Sequence, residues 1–115
     1  MAGIKKGDVV LVNLDPVIGS EQGKTRPAIV IQNNIGNEYS PTTIVAPVTT
    51  KIFSKQFPTN VELDKTNSPL KEKSTVPLNQ IRTIDKSRII RNYGKLSAKK
   101  IKEVDEAIMI SLGLD

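Results

Sequence analysis

Residues 19–33, GSEQGKTRPAIVIQN, join a polar loop to an apolar strand with no spacer between them. Gly19 and Gly23 permit backbone geometries that other residues resist, while Ser20, Glu21, Gln22, Lys24 and Thr25 supply hydrogen-bonding groups. Arg26-Pro27 closes the loop where Ala28-Ile29-Val30-Ile31 begins, so the sequence places Arg26 at the mouth of a sheet. Upstream, residues 7–14 read as a first strand ended by Asp15-Pro16. The two strands and their loop form one hairpin-like unit whose loop is the end suited to function.

Period-2 and continuous β-branched runs recur at residues 7–14, 27–33, 43–50, 59–63, 74–78 and 87–95, separated by Gly, Pro, Asn or Ser. Pro47 lacks a donor, which places the strand around it at a sheet edge or at a bulge. Residues 51–57 and 65–73 read as exposed, lysine-rich loops, and residues 80–85 as a single helical turn before the strand at Ile89-Ile90. Ser97 is the expected N-cap of a helix from Ala98 to about Leu112, with Ile101, Val104, Ile108 and Leu112 on one face and Gly113 as its stop. Six short strands and one terminal helix predict a mostly β chain, folded as a small closed or partly open barrel.

With 115 residues the chain is expected to form one domain, 1–115, and a second subunit would add much to its core. It contains neither cysteine nor histidine, which excludes disulfides, thiolate metal sites and every Ser/His or Cys/His nucleophile pair. No run approaches the roughly 18 apolar residues of a membrane span, and the N-terminus lacks an apolar signal core. A soluble, cytoplasmic protein is expected. Seventeen basic and twelve acidic residues give a net charge of +5, which favours an anionic partner. Four aromatic residues, Tyr39, Phe53, Phe57 and Tyr93, supply a base-stacking platform poorly.

Residues 19–33, the segment Asn79-Gln80-Ile81-Arg82-Thr83-Ile84-Asp85 and the strand 43–50 together resemble the MazF/PemK/Kid toxins of bacterial toxin–antitoxin systems, which are sequence-specific endoribonucleases. The resemblance runs from about Lys5 to Leu114. It implies an SH3-like barrel of the CcdB/PemK type and a homodimer. It also implies a metal-independent cut in single-stranded mRNA, made away from the ribosome, and a cognate MazE-like antitoxin that lays an acidic, flexible segment across the RNA groove. By analogy the products are a 2′,3′-cyclic phosphate and a 5′-hydroxyl.

RNA carries its own nucleophile in the 2′-hydroxyl, so cleavage requires only its deprotonation, stabilisation of the phosphorane and protonation of the leaving 5′-oxygen. A chain without histidine can meet those needs. Arg26 presents a planar, permanently charged fork suited to two phosphate oxygens, and it falls on the family's catalytic arginine. The plain alternative is a surface arginine paired with Glu21 or Asp15. Thr49 is an ordinary strand residue by pattern, and only the resemblance makes it the catalytic threonine. Substrate-binding candidates are Ser20, Glu21, Gln22, Thr50, Gln80 and Arg82. Arg82 either grips RNA or caps a turn through Asp85.

Some relatives carry an arginine and an aspartate where this chain has Pro77 and Asn79. A mechanism that draws its base from that aspartate cannot operate here, because an amide does not titrate. Glu21 is then the only carboxylate within the glycine loop, and as a base it would need desolvation to lift it from the usual 4.3 or so. No Asp/Glu cluster has metal-ligand spacing, so no metal or other cofactor is expected. Two rivals remain: a CcdB-like toxin that poisons gyrase by binding it, and a noncatalytic RNA-binding barrel. The RNA motif itself is not legible, beyond the relatives' leaning to A, C and U.

Overall fold

The computed structural model describes residues 3–16, 18–20, 24–51, 53, 55 and 57–114. Strand β1 (Asp8–Asn13) pairs antiparallel with β2 (Thr25–Val30) from Val9↔Ile29 to Asn13↔Thr25, so the hairpin-like unit read from the sequence is present. Both strands are apolar at nearly every position because the sheet is covered on both faces. Val9 and Ile29 pack into one cluster, while Val10, Val12, Ala28 and Val30 pack into another on the opposite side.

Strand β3 (Thr42–Pro47) lies between β2 and β6 (Arg82–Asp85) in a five-stranded sheet of order β6-β3-β2-β1-β7, with β7 spanning Ile89–Lys95. Of the edge or bulge expected around Pro47, the edge is corrected: β3 is an inner strand. Pairing between β3 and β6 stops at Val45↔Arg82, so Pro47 lies beyond the stretch in which β6 would need its missing donor. The helical turn expected over residues 80–85 is likewise corrected: only Leu78–Gln80 forms a 3-10 turn, and Arg82–Asp85 is a strand.

A short helix, α1 (Asn34–Tyr39), was not signalled by any apolar periodicity. It is set by side-chain hydrogen bonds instead. Asn33 Oδ1 accepts from the Gly36 amide at 2.8 Å, and the buried Asn37 accepts from Thr43 Oγ1 at 2.7 Å while donating to the Gln32 carbonyl at 2.9 Å. Strands β4 (Asn60–Leu63) and β5 (Ser74–Pro77) form a separate antiparallel hairpin. A single bridge, Thr49↔Thr75, ties it to the end of the β3 segment. The result is barrel-like without full closure.

Helix α2 (Ala98–Leu112) begins and ends as its sequence predicts. Ser97 Oγ accepts from the Lys100 amide at 3.2 Å, and Gly113 takes the left-handed conformation at φ 69°. Val104 and Ala107 are buried against the hairpin and the sheet, with Ile101 and Ile108 packed beside them. Leu112, expected on that face, is 53% exposed, together with Met109, Ile110 and Leu114 at the apolar end of the helix. The approach of α2 to β1 depends on Gly7: at φ +91° it already disfavours a side chain, and a Cβ there would lie 2.5 Å from Ile101 Cδ1.

Candidate active site

Arg26 is the second residue of β2, opposite Val12, and is half-buried. The next residue, Pro27, accepts a hydrogen bond from the Val48 amide at 2.8 Å, which draws the chain after β3 alongside the start of β2. Thr49 follows immediately and is locked in place by its exchange with Thr75, N–H to carbonyl at 2.9 Å one way and 2.8 Å the other. Its hydroxyl oxygen accepts from the Lys51 amide at 3.1 Å, which leaves the hydroxyl proton available to donate. The 3-10 turn Leu78–Gln80, anchored by the fully buried Leu78, presents Asn79 and Gln80 from a third direction.

These elements enclose a cleft of ≈ 420 Å³ lined by Arg26, Thr49, Asn79 and Gln80, with Lys51, Phe53, Phe57, Thr59, Asn60 and Pro77 completing its walls. Arg26, Thr49 and Gln80, far apart in the chain, thus meet in one place. Thr50 does not line this cleft; it faces two neighbouring pockets on the far side of the Thr49 strand end. Ser20 is exposed in the β1–β2 connection, and Glu21 and Gln22 lie outside the described residues. Among the described residues of the cleft, Arg26 and Lys51 carry positive charge and none is a carboxylate.

Arg82 is placed apart from the cleft. Its guanidinium donates to the Leu14 carbonyl at 3.2 Å, and Asp85 caps the next turn through the Ser87 amide at 2.8 Å instead of holding Arg82. Arg88, which sequence reasoning passed over, donates to the Asn13 and Asp15 carbonyls at 3.0 and 2.6 Å. Two arginines therefore fix the exit of β1. On the other side of that exit, Leu14 N–H donates to the Lys24 carbonyl at 2.9 Å and Lys24 N–H donates to Asp15 Oδ1 at 2.7 Å, with Lys24 at φ 64°. The loop that carries Gly19 and Ser20 thus springs from a braced stem one residue from Thr25 and two from Arg26.

Phe53 and Phe57 were counted in the sequence as too few to matter, yet both line the cleft. A lysine ammonium lies over each ring, Lys51 at 5.3 Å from the Phe53 centroid and Lys55 at 6.0 Å from that of Phe57. The alternation of lysine and phenylalanine at 51, 53, 55 and 57 was the available signal. Among the described residues, no group of three or more acidic side chains is arranged to hold a metal ion.

Fold and cleft together define a small barrel-like β protein with a polar cleft lined by Arg26 and Thr49. The chain belongs to the PemK-like, MazF-like toxins of type II toxin–antitoxin systems, whose family model matches residues 5–112. It is 51% identical over 111 residues to an endoribonuclease MazF of Staphylococcus saprophyticus, covering 96% of this chain and 92% of that protein. Among solved structures, MazF of Deinococcus radiodurans superposes with a TM-score of 0.83 at 26% identity, covering 98% and 99% of the two chains. A MazE–MazF structure from the same organism gives 0.77 at 26% identity over 100% of both chains.

Proposed function

We infer that this chain, a toxin of the MazF endoribonuclease kind, cuts single-stranded RNA in the cleft between β2, the β3 segment and the Leu78–Gln80 turn. The observation that carries the reading is the convergence of Arg26, Thr49 and Gln80 on one cleft. In the proposed reaction the 2′-oxygen attacks phosphorus, its proton passes to a base, and the P–O5′ bond breaks as the 5′-oxygen takes up a proton. The products are the 2′,3′-cyclic phosphate and a 5′-hydroxyl. Arg26 spans two equatorial oxygens of the phosphorane, and charge that develops there is stabilised most strongly in a partly buried site. Thr49 donates its hydroxyl proton to a phosphate oxygen or orients the 2′-hydroxyl.

Gln80 and Asn79 offer amide donors and acceptors to unpaired base edges. Ser20, Glu21, Gln22 and Thr50 extend the binding surface, Glu21 remains the candidate base, and Arg82 contributes through the loop stem it holds. No step calls for a metal. A second protomer would find the apolar end of α2, Ile110, Leu112 and Leu114, ready to cover, and pairing would join two cationic clefts into one groove. A cognate antitoxin with an acidic segment fits such a groove. Incubating the protein with a long RNA in EDTA tests the reading: discrete cuts are expected, and intact RNA with retained binding would favour a noncatalytic RNA-binding role instead.

A further inference from the structure

A second pocket, of ≈ 150 Å³, adjoins the cleft and is lined by Lys51, Phe53, Lys55, Glu62, Leu63, Asp64 and Lys73. A void of about that volume holds one aromatic ring. It shares Lys51, Phe53 and Asn60 with the cleft, so the two are neighbours along one surface. The Thr49–Thr75 bridge fixes their separation: Thr49 lines the cleft and Thr75 the pocket, and residues that exchange both hydrogen bonds stand about 5.5 Å apart at Cα. A strand of RNA whose scissile phosphate rests at Arg26 and Thr49 passes this pocket within a nucleotide or two.

The lining suits a base. Phe53 gives a half-buried aromatic wall and Leu63, 2% exposed, an apolar floor. Glu62, near the end of β4, and Asp64, just beyond it, both line the pocket. Asp64 is already oriented, because one of its oxygens accepts from both the amide and the hydroxyl of Thr66. Lys51, Lys55 and Lys73 also line the pocket and bring positive charge to it.

We propose that this pocket is a nucleotide subsite beside the cutting position, which stacks one unpaired base on Phe53 and selects for an exocyclic amine through Glu62 and Asp64. Carboxylates accept from the amines of adenine, cytosine or guanine, whereas uracil offers none. The lysines hold the flanking phosphates. The pocket thereby reads one letter of the motif while the cleft performs the cut, and the proposal rests on the RNA-cutting reading of that cleft.

The test is equilibrium binding of uncleavable RNAs, 2′-deoxy at the cut, that carry each base in turn at the three positions on either side. The unsubstituted protein is expected to disfavour uracil at one position by roughly tenfold. Glu62→Gln with Asp64→Asn, which keep shape and turn but present amides, should shrink that preference to about twofold. Phe53→Leu, which keeps apolar bulk without a π-face, should weaken binding of all four bases at that position by about fivefold or more. An unchanged base profile in both variants would overturn the subsite, as would variants that lose only an acidic antitoxin peptide. Because binding is read without cutting, a protein that makes no discrete cuts defeats the nuclease reading while the base profile still decides the subsite.

Discussion

The two walls of the cleft are built differently. Arg26 and Thr49 stand on backbone that is hydrogen-bonded into ladders on both sides, Arg26 through β1 and the Pro27 carbonyl, Thr49 through its double exchange with Thr75. Lys51, Phe53 and Phe57 belong to the β3–β4 connection, where among the described residues Lys51 N–H donates to Thr49 Oγ1 and Asn60 N–H to the Phe57 carbonyl. Transition-state stabilisation needs donors held within a fraction of an ångström, and strands provide that. Gripping an anionic chain of variable shape does not, and a loop suffices. On the proposed reading, chemistry belongs to the ladder wall and recognition to the loop wall.

The sharpest way to break that division is Arg26→Lys. Lysine keeps the charge but cannot match two oxygens at once, so single-turnover cleavage should fall ~100 to 1,000-fold, about 2.7 to 4 kcal/mol, while affinity for an uncleavable 2′-deoxy RNA changes little. Equal losses of cutting and binding would make Arg26 a docking residue. Thr49→Val keeps the strand shape and removes one hydroxyl; a loss of about tenfold in cleavage, again with affinity retained, is expected from one uncharged hydrogen bond. If its binding falls with its rate, the ladder wall is not reserved for chemistry.

On the loop wall the pattern should invert. Lys51→Ala is expected to weaken RNA binding evenly across sequences and to reduce the slope of log K against log salt by about 0.7, the contribution of one phosphate contact to a single strand. A rate defect without a change in salt slope would move Lys51 to the chemical side.

The smallest effect concerns Asp85, which precedes the turn that places Arg88 against the loop stem. Hydrogen bonds from Ser87, side chain and backbone, hold the Asp85 carboxyl below its ordinary 3.8, against a slight opposing effect of burial. A depressed folded value means stability that is present above the unfolded value and lost as pH falls through the folded one. Thermal melts of Asp85→Asn should therefore lie slightly below the parent at neutral pH, decline less steeply below about pH 4 and meet the parent in acid. A parallel decline would mean that the turn does not depend on the charged form.

The parts legible in the sequence were those with a strong local cause. The apolar runs of β1 and β2, the Ser97 cap and the Gly113 stop each act through neighbours within a few residues, and each sits where the residues predict. Helix α1 and strand β6 were missed because their causes are distant. Asn37 is held by Thr43 and Gln32 and caged by Lys86, and β6 buries only Ile84, too little for any period to show. At the cleft, Arg26 was visible from its place at a loop–strand junction, whereas Thr49 drew meaning only from resemblance. Thr59 and Asn60 had no local signature at all; the fold alone carries them to the cleft.

The hairpin β4–β5 meets the sheet's ladder through one bridge made of two main-chain hydrogen bonds, and such bonds are indifferent to the side chains around them. Its exposed residues, among them Glu62 and, just before β5, Lys73, are not part of that bridge. If the hairpin chooses the target as proposed, a lineage of such chains has a cheap route to new ones: the cutting apparatus is inherited intact, and the part that chooses is exchanged like a jaw on a fixed handle.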